Sequence, residues 1–143
     1  MNIKVKLDAG AYMPERAHLT DAGLDLRTPI DIVCPSRLCF WKPYAIIDTG
    51  VRIEIPEGYV GFLKSKSGLN VKNGLTGEGV IDSGFTGSMV AKLYNNSWKR
   101  HKFNRGDKII QLVILPILTP ELDLVDELEE TERGDNGFGS TGR

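Results

Sequence analysis

Apolar and polar residues alternate in short runs along most of this chain. Ile3, Val5 and Leu7 are separated by Lys4 and Lys6, the two-residue period of a half-buried strand. Further β-type runs cover 30–34, 45–48, 51–55, 59–63, 80–81, 89–94 and 108–115. Turn formers stand between them: Pro35, Pro43, Gly50, the triplet Pro56-Glu57-Gly58, the pair Asn95-Asn96, and Asn104-Arg105-Gly106-Asp107. Strands do not alternate with long helical patterns. Many short strands at this spacing predict an all-β sandwich or barrel. One stretch reads two ways. Leu118, Leu122, Val125 and Leu128 recur at helical spacing behind Thr119-Pro120, a helix-start pair, whereas Leu122, Asp123 and Leu124 alternate as a strand would.

Length and composition narrow the class. The 143 residues, 41% hydrophobic and 26% charged, are one domain's worth of chain with enough apolar material for a core. No apolar run approaches the ~18–20 residues of a membrane span, and MNIKVKLDAG lacks the apolar centre of a secretory signal. No membrane partner is expected. Eighteen basic and nineteen acidic residues give a net charge of -1, which argues against holding nucleic acid by charge alone. Cys34 and Cys39 are too few for a disulfide scaffold, or for a zinc site without unusual help from His18 and His101. A reducing, cytoplasmic setting is the expectation. The cysteines read as inert thiols, the histidines as surface residues, and the acidic run 126–130 as a solvated face. Trp41, between Phe40 and Lys42, reads as a packing residue.

Four polar, glycine-bearing clusters carry candidate chemistry. In Asp21-Ala22-Gly23-Leu24-Asp25-Leu26-Arg27, Leu24 and Leu26 would face a core and Asp25 the opposite side, as a solvated strand charge or a functional carboxylate. Lys64-Ser65-Lys66-Ser67-Gly68-Leu69 offers cations, hydroxyls and a glycine, the parts of an anion cradle, though a polar strand-to-turn transition has the same composition. GEGVIDSGFTG at 77–87 reads as a tight hairpin anchored by Val80 and Ile81. Asp82 at its edge is a candidate general base or a plain turn residue. The end of the chain, Arg133-Gly134-Asp135-Asn136-Gly137-Phe138-Gly139-Ser140-Thr141-Gly142, has the logic of a phosphate loop without its Lys and helix. By composition it is equally a flexible tail.

In this order the clusters resemble the five motifs of the homotrimeric dUTPase family. AGLDL at 22–26, SKSGL at 65–69, GVIDSGFTG at 79–87, RGDKIIQLVI at 105–114 and RGDNGFGSTG at 133–142 are similar to motifs one to five. The resemblance implies an all-β jelly-roll sandwich or distorted barrel over 1–132, a flexible capping tail over 133–143, and an extended chain rather than a helix before it. It also implies a homotrimer. Motifs one, two and four would come from one subunit or its close neighbour, motif three from another and motif five from a third.

The implied reaction is hydrolysis of dUTP to dUMP and diphosphate, which keeps uracil out of DNA and supplies dUMP for thymidylate synthesis. Asp82 would activate the attacking water. Asp25 would hold, through water, a Mg2+ ion bound mainly by the triphosphate. Lys66, Ser67, Gly68 and Gln111 would hold the α- and β-phosphates, Arg133, Ser140 and Thr141 would clamp the γ-phosphate, and Gly139 would also touch the substrate. Backbone around Gly77, Gly79, Val80, Ile81 and Met89 would read uracil, Phe85 would pack on the deoxyribose, and Phe138 would close over the base. Two residues depart from the family pattern. Phe85 replaces the usual Tyr and Lys66 the usual Arg, which keeps charge but loses the bidentate fork. The segment 36–43 matches no motif. Two other readings share the scaffold: a dCTP deaminase, against which the glycine-rich tail and GVIDSGF argue, and a nucleotide-sensing regulatory trimer. The sequence offers no support for a regulatory protein partner.

Overall fold

The structure, a computed structural model, describes residues 2–134. Eleven strands and one helix lie among them: β1 Val5–Leu7, β2 Gly23–Arg27, β3 Ile32–Cys34, β4 Tyr44–Asp48, β5 Val51–Ile53, β6 Tyr59–Lys64, α1 Ser67–Asn73, β7 Leu75–Thr76, β8 Glu78–Ile81, β9 Val90–Asn95, β10 His101–Phe103 and β11 Lys108–Pro116. Every strand pair is antiparallel. A four-stranded sheet runs β2-β11-β6-β8, a three-stranded sheet β4-β9-β7, and the pairs β1-β5 and β10-β3 complete the arrangement. The all-β expectation holds.

Burial follows the period of two. Ala45 and Ile47 of β4 point inward, as do Ala91, Leu93 and Asn95 of β9, while their neighbours stay partly or fully exposed. Residues from both larger sheets, with Val51, Met89 and Phe103, form one contiguous core. β11 departs from strict alternation: Ile109 and Ile110 are both fully buried. A register shift between Lys108 and Ile110 explains it, because a bulge places two consecutive residues against one partner.

Three local expectations need correction. The segment 64–69 is no simple strand-to-turn transition, since α1 begins at Ser67. That short helix ends at Gly74, whose left-handed φ of 66° lets its N–H donate to Asn70 O. The 77–87 segment is no hairpin. β7 pairs with β9 and β8 with β6, so the chain changes sheets at Gly77. Ile81 is buried there, but Val80 is exposed. The stretch 117–130 forms no helix, in keeping with the extended chain the family resemblance implies, and Leu118, Leu122, Leu124 and Leu128 lie open to solvent. An amphipathic stripe makes a helix only with a surface to bury against, and none covers these leucines among the described residues. Trp41 is likewise exposed rather than packed.

Candidate functional site

The site assembles around Asp25. In β2 its carboxylate lies opposite Leu26, as alternation requires, yet it is only 5% exposed; the reading of a solvated strand charge fails. Two ammonium groups cover it. Lys66 Nζ donates to Oδ1 in a short contact, and Lys108 Nζ stands 2.7 Å from Oδ2. Burial alone would disfavour the carboxylate's charge. Hydrogen bonds from Lys108 and Lys66 and their positive charge outweigh that and hold Asp25 below the usual carboxylate range.

β11 adds the next side chain. Gln111 pairs with Asp25 on one side and with Lys64 on the other, and its Nε2 donates to Ser65 O at 3.1 Å. Gly23 makes room for it, since a Cβ there would collide with Gln111 Oε1. Ser65 in turn receives the N–H of Gly77 at 2.8 Å and donates to Gly77 O at 3.1 Å. Asp25, Lys66, Gln111, Ser65 and Gly77 are therefore one connected group, with Ser67 and Gly68 opening α1 beside it. Lys108 is the member that sequence reasoning missed. Lys108 and Gln111 are three apart, which in a regular strand means opposite faces. The bulge between them turns both toward Asp25.

The remaining predicted residues lie elsewhere. Glu78 pairs with Lys64 and Ile81 with Gly61, so β8 carries Asp82 away from the Asp25 row by roughly 13 Å at about 3.3 Å per residue. Asp82 is exposed and its carbonyl accepts the N–H of Phe85 at 3.2 Å. The loop beyond is anchored at both sides. Arg52 donates to Asp8 through two nitrogens and to Thr86 O at 3.4 Å, and Ser88 Oγ makes a short bond to Asp48. Met89 is buried, with its N–H donated to Val51 O and its carbonyl receiving Thr49 N–H and Oγ; both its backbone groups are used by the fold. Gly79 and Val80 sit on β8, an edge strand of its sheet among the described residues, whose outward N–H and C=O groups face no neighbouring strand. Arg133 is the last of the predicted phosphate ligands within the described residues. Phe138, Gly139, Ser140 and Thr141 lie outside them.

The donor set fits a hydrated Mg2+ and no protein cage. Among the described residues no cluster of three or more His, Cys, Asp or Glu side chains exists, and Asp25 stands alone with its two lysines. Magnesium held through one carboxylate, waters and phosphate oxygens needs no more. Cys34 is buried and burial raises its thiol, while Cys39 is also unpaired. Among the described residues His18 pairs with Asp21, at 3.2 Å. No helix among the described residues is long and apolar enough to cross a membrane.

Comparison with known proteins places this geometry. The dUTPase family model matches residues 9–142. A deoxyuridine 5'-triphosphate nucleotidohydrolase of Clostridium tetani (strain Massachusetts / E88) is 39% identical over 146 residues, spanning 99% of this chain and 97% of its own. A point mutant of the dUTPase of Staphylococcus bacteriophage 80alpha, solved with dUpNHpp, superposes with a TM-score of 0.87 at 36% identity over 99% of both chains. A dUTPase mutant from phage phi11 of S. aureus, solved with a coordinated structural Mg(II) ion, gives 0.81 at 35% identity over 91% of this chain and 100% of that one. With a family match over nearly its whole length and the Asp25 group built as described, this chain belongs to the dUTPase family.

Proposed function

We propose that this protein is a dUTP diphosphatase, hydrolysing dUTP to dUMP and diphosphate, and that its active sites form between copies of the chain. Family membership supports the activity. The observation that carries the second part is the separation of Asp82 from the Asp25 row within one chain. A homotrimer in which one copy's Asp82 meets another copy's Asp25, Lys66 and Gln111 joins base and phosphate ligands without distorting either sheet.

Each residue then has a definable task. Asp82, exposed, accepts a proton from water and aims it at the α-phosphate. Lys66 leaves Asp25 for the incoming phosphates, and Lys108 stays to keep Asp25 ionised and placed. Asp25 would hold Mg2+ through water, and that ion supplies charge neutralisation along the triphosphate. Gln111 and Ser67 donate hydrogen bonds to phosphate oxygens, and Gly68 lets them approach. The open edge of β8, around Gly79 and Val80, offers backbone donors and acceptors to the uracil edge. Cytosine reverses part of uracil's pattern, so a fixed backbone template leaves polar groups unpaired against it. Phe85, partly exposed beside Asp82, packs on the deoxyribose. Arg133 and the residues after it close over the γ-phosphate and the base.

The test is incubation of the purified protein and Mg2+ with dUTP, dCTP, dTTP and UTP in separate reactions, with diphosphate and nucleotide products measured. Diphosphate and dUMP from dUTP, with far slower turnover of the other three, is the expected result. Deamination of dCTP would replace the reading with the deaminase. Comparable turnover of dTTP would remove the uracil pocket.

A further inference from the structure

The end of the molecule formed by the 35–43 loop and the turn joining β9 to β10 takes no part in the site above. Trp41 is 93% exposed there, Phe40 85% and Trp98 63%, with Leu38 also open. The loop is fixed in place nonetheless. Arg37 N–H donates to Ser97 O at 2.9 Å, Asn95 N–H donates to Pro43 O at 2.8 Å, and the Arg37 guanidinium lies 4.2 Å over the Trp98 ring. Between loop and turn runs a cleft of about 450 Å³ lined by Arg37, Phe40, Pro43, Asn95, Asn96 and Trp98. Across the Ser97 turn lies a second cleft of about 210 Å³, walled by Lys72, Lys99, Arg100 and His101. An aromatic groove and a cationic groove thus adjoin.

The charge of this end is one-sided. The segments that build it, 34–43, 70–76 and 95–101, contain no Asp or Glu. Arg37, Lys42, Lys72, Lys99 and Arg100 have no carboxylate partner among the described residues. The overall charge of -1 conceals this, because seven of the nineteen acidic residues fall in 117–132, where no Lys or Arg stands. Unpaired cations beside anchored, solvent-facing Trp and Phe have the make-up of a binding hot spot, where Trp and Arg dominate.

We propose that this end is a docking surface for an acidic segment of another protein that carries apolar anchors. Its apolar side chain enters the groove between Phe40 and Trp98, and its carboxylates pair with Lys99, Arg100 and Lys72. Single-stranded nucleic acid would also seek cations and aromatic faces. Arg37 already covers one face of Trp98, and Leu38 and Pro43 make the surface aliphatic as well as aromatic, which suits a peptide better than a base. The chain's own acidic segment, 117–132, has the right chemistry. In the reading above it leads the tail to a neighbour's nucleotide.

The probe is a fluorescently labelled, acetylated peptide of alternating glutamate and leucine, titrated into the full-length protein by anisotropy. A glutamine-for-glutamate peptide and oligo-dT serve as comparisons. Binding of the acidic peptide, weakened by salt and by about tenfold or more in Phe40→Ala/Trp41→Ala and in Arg100→Ala, is expected. These side chains are exposed and outside the Asp25 group, so melting temperature and dUTP turnover stay at wild-type values. Equal binding of the glutamine peptide, unchanged binding by natively melting variants, or tighter binding of oligo-dT would overturn the proposal. So would a fall in the protein's mass by light scattering in Phe40→Ala/Trp41→Ala, which would make this end a contact between copies.

Discussion

Lys108 Nζ lies 2.7 Å from Asp25 Oδ2 while Lys66 holds the other oxygen of the same buried carboxylate. The two lysines are not equivalent. Lys66 stands at the entry to α1, beside Ser67 and Gly68, where phosphates are expected. Lys108 is fixed in β11. The arrangement predicts that Lys108→Met costs stability. Breaking a fully buried pair costs about 3–5 kcal/mol, but Lys108 is one-third exposed and Lys66 remains, so about 1–2 kcal/mol by urea unfolding is expected. The pH dependence has a definite sign. Asp25 sits below its unfolded value of about 3.9, so its contribution is complete above that value and is lost as pH falls through the folded value. Lys108→Met raises the folded value, and its acid-unfolding midpoint should lie at higher pH than that of wild type, with Lys108→Arg close to wild type. Coincident midpoints would show that Lys108 does not hold the charge.

Asp82→Asn separates chemistry from architecture. Asp82 is exposed, and among the described residues its carbonyl accepts a hydrogen bond from Phe85 N–H while its carboxylate has none. Melting temperature and binding of a non-hydrolysable dUTP analogue should therefore be unchanged. The amide accepts no proton from water, so kcat should fall by about 10²–10⁴-fold or more. Near-normal kcat would assign the base elsewhere.

Strands were legible in the sequence wherever one face was buried and the other was not, as in β4 and β9. The Asp25 site was legible only through its motifs. Alternation correctly placed Asp25 opposite Leu26 but could not reveal the lysines that seal it, because one comes from a helix entry and the other from beyond a bulge. A bulge leaves no compositional mark, so Lys108 stayed hidden although Gln111, three residues on, did not. The helix α1 was invisible for a related reason: Ser, Gly and Asn are weak helix formers, and the turn is held by Gly74 and by Leu69 packing on the core. At 117–130 the local stripe suggested a helix and the family resemblance an extended chain, and no helix forms there.

Two glycines of the site should respond oppositely to alanine. At Gly77, where the chain changes sheets, a Cβ would stand 2.8 Å from Lys92 O and 2.9 Å from Leu93 Cδ2. Backbone cannot yield cheaply there, and a loss of about 1–3 kcal/mol is expected. At Gly68 a Cβ meets nothing within 4 Å, and alanine favours the helix by up to about 1 kcal/mol. Gly68→Ala should fold at least as well as wild type while KM for dUTP rises, because phosphate can no longer approach the backbone. An unchanged KM would mean that Gly68 does not face substrate.

Phe85 rests against Gly87: a Cβ on Gly87 would lie 2.5 Å from Phe85 Cζ. Phe85→Tyr should be tolerated, because the ring is partly exposed and its hydroxyl can reach water. Gly87→Ala should displace the ring outward with little change in melting temperature, since a ring edge can swing free. Discrimination of dUTP against UTP should narrow in Gly87→Ala and hold in Phe85→Tyr. A large drop in both melting temperature and affinity for Phe85→Tyr would show a buried hydroxyl without a partner, worth about 1–3 kcal/mol.

Truncation after Glu132 tests the division of the site between chains. It removes Arg133, Phe138, Ser140 and Thr141 and none of the buried residues of the described core, so melting temperature and assembly state should hold while dUTP hydrolysis falls steeply. Asp82→Asn disables a different part. If base and tail reach one nucleotide from different copies, a mixed trimer can combine an intact tail from one chain with an intact Asp82 from another. Co-refolding of the two inactive variants should then restore a minority of wild-type-like sites, and mixing the folded proteins without subunit exchange should restore none. Confirmed heterotrimers without regained hydrolysis would show that tail and base come from the same chain.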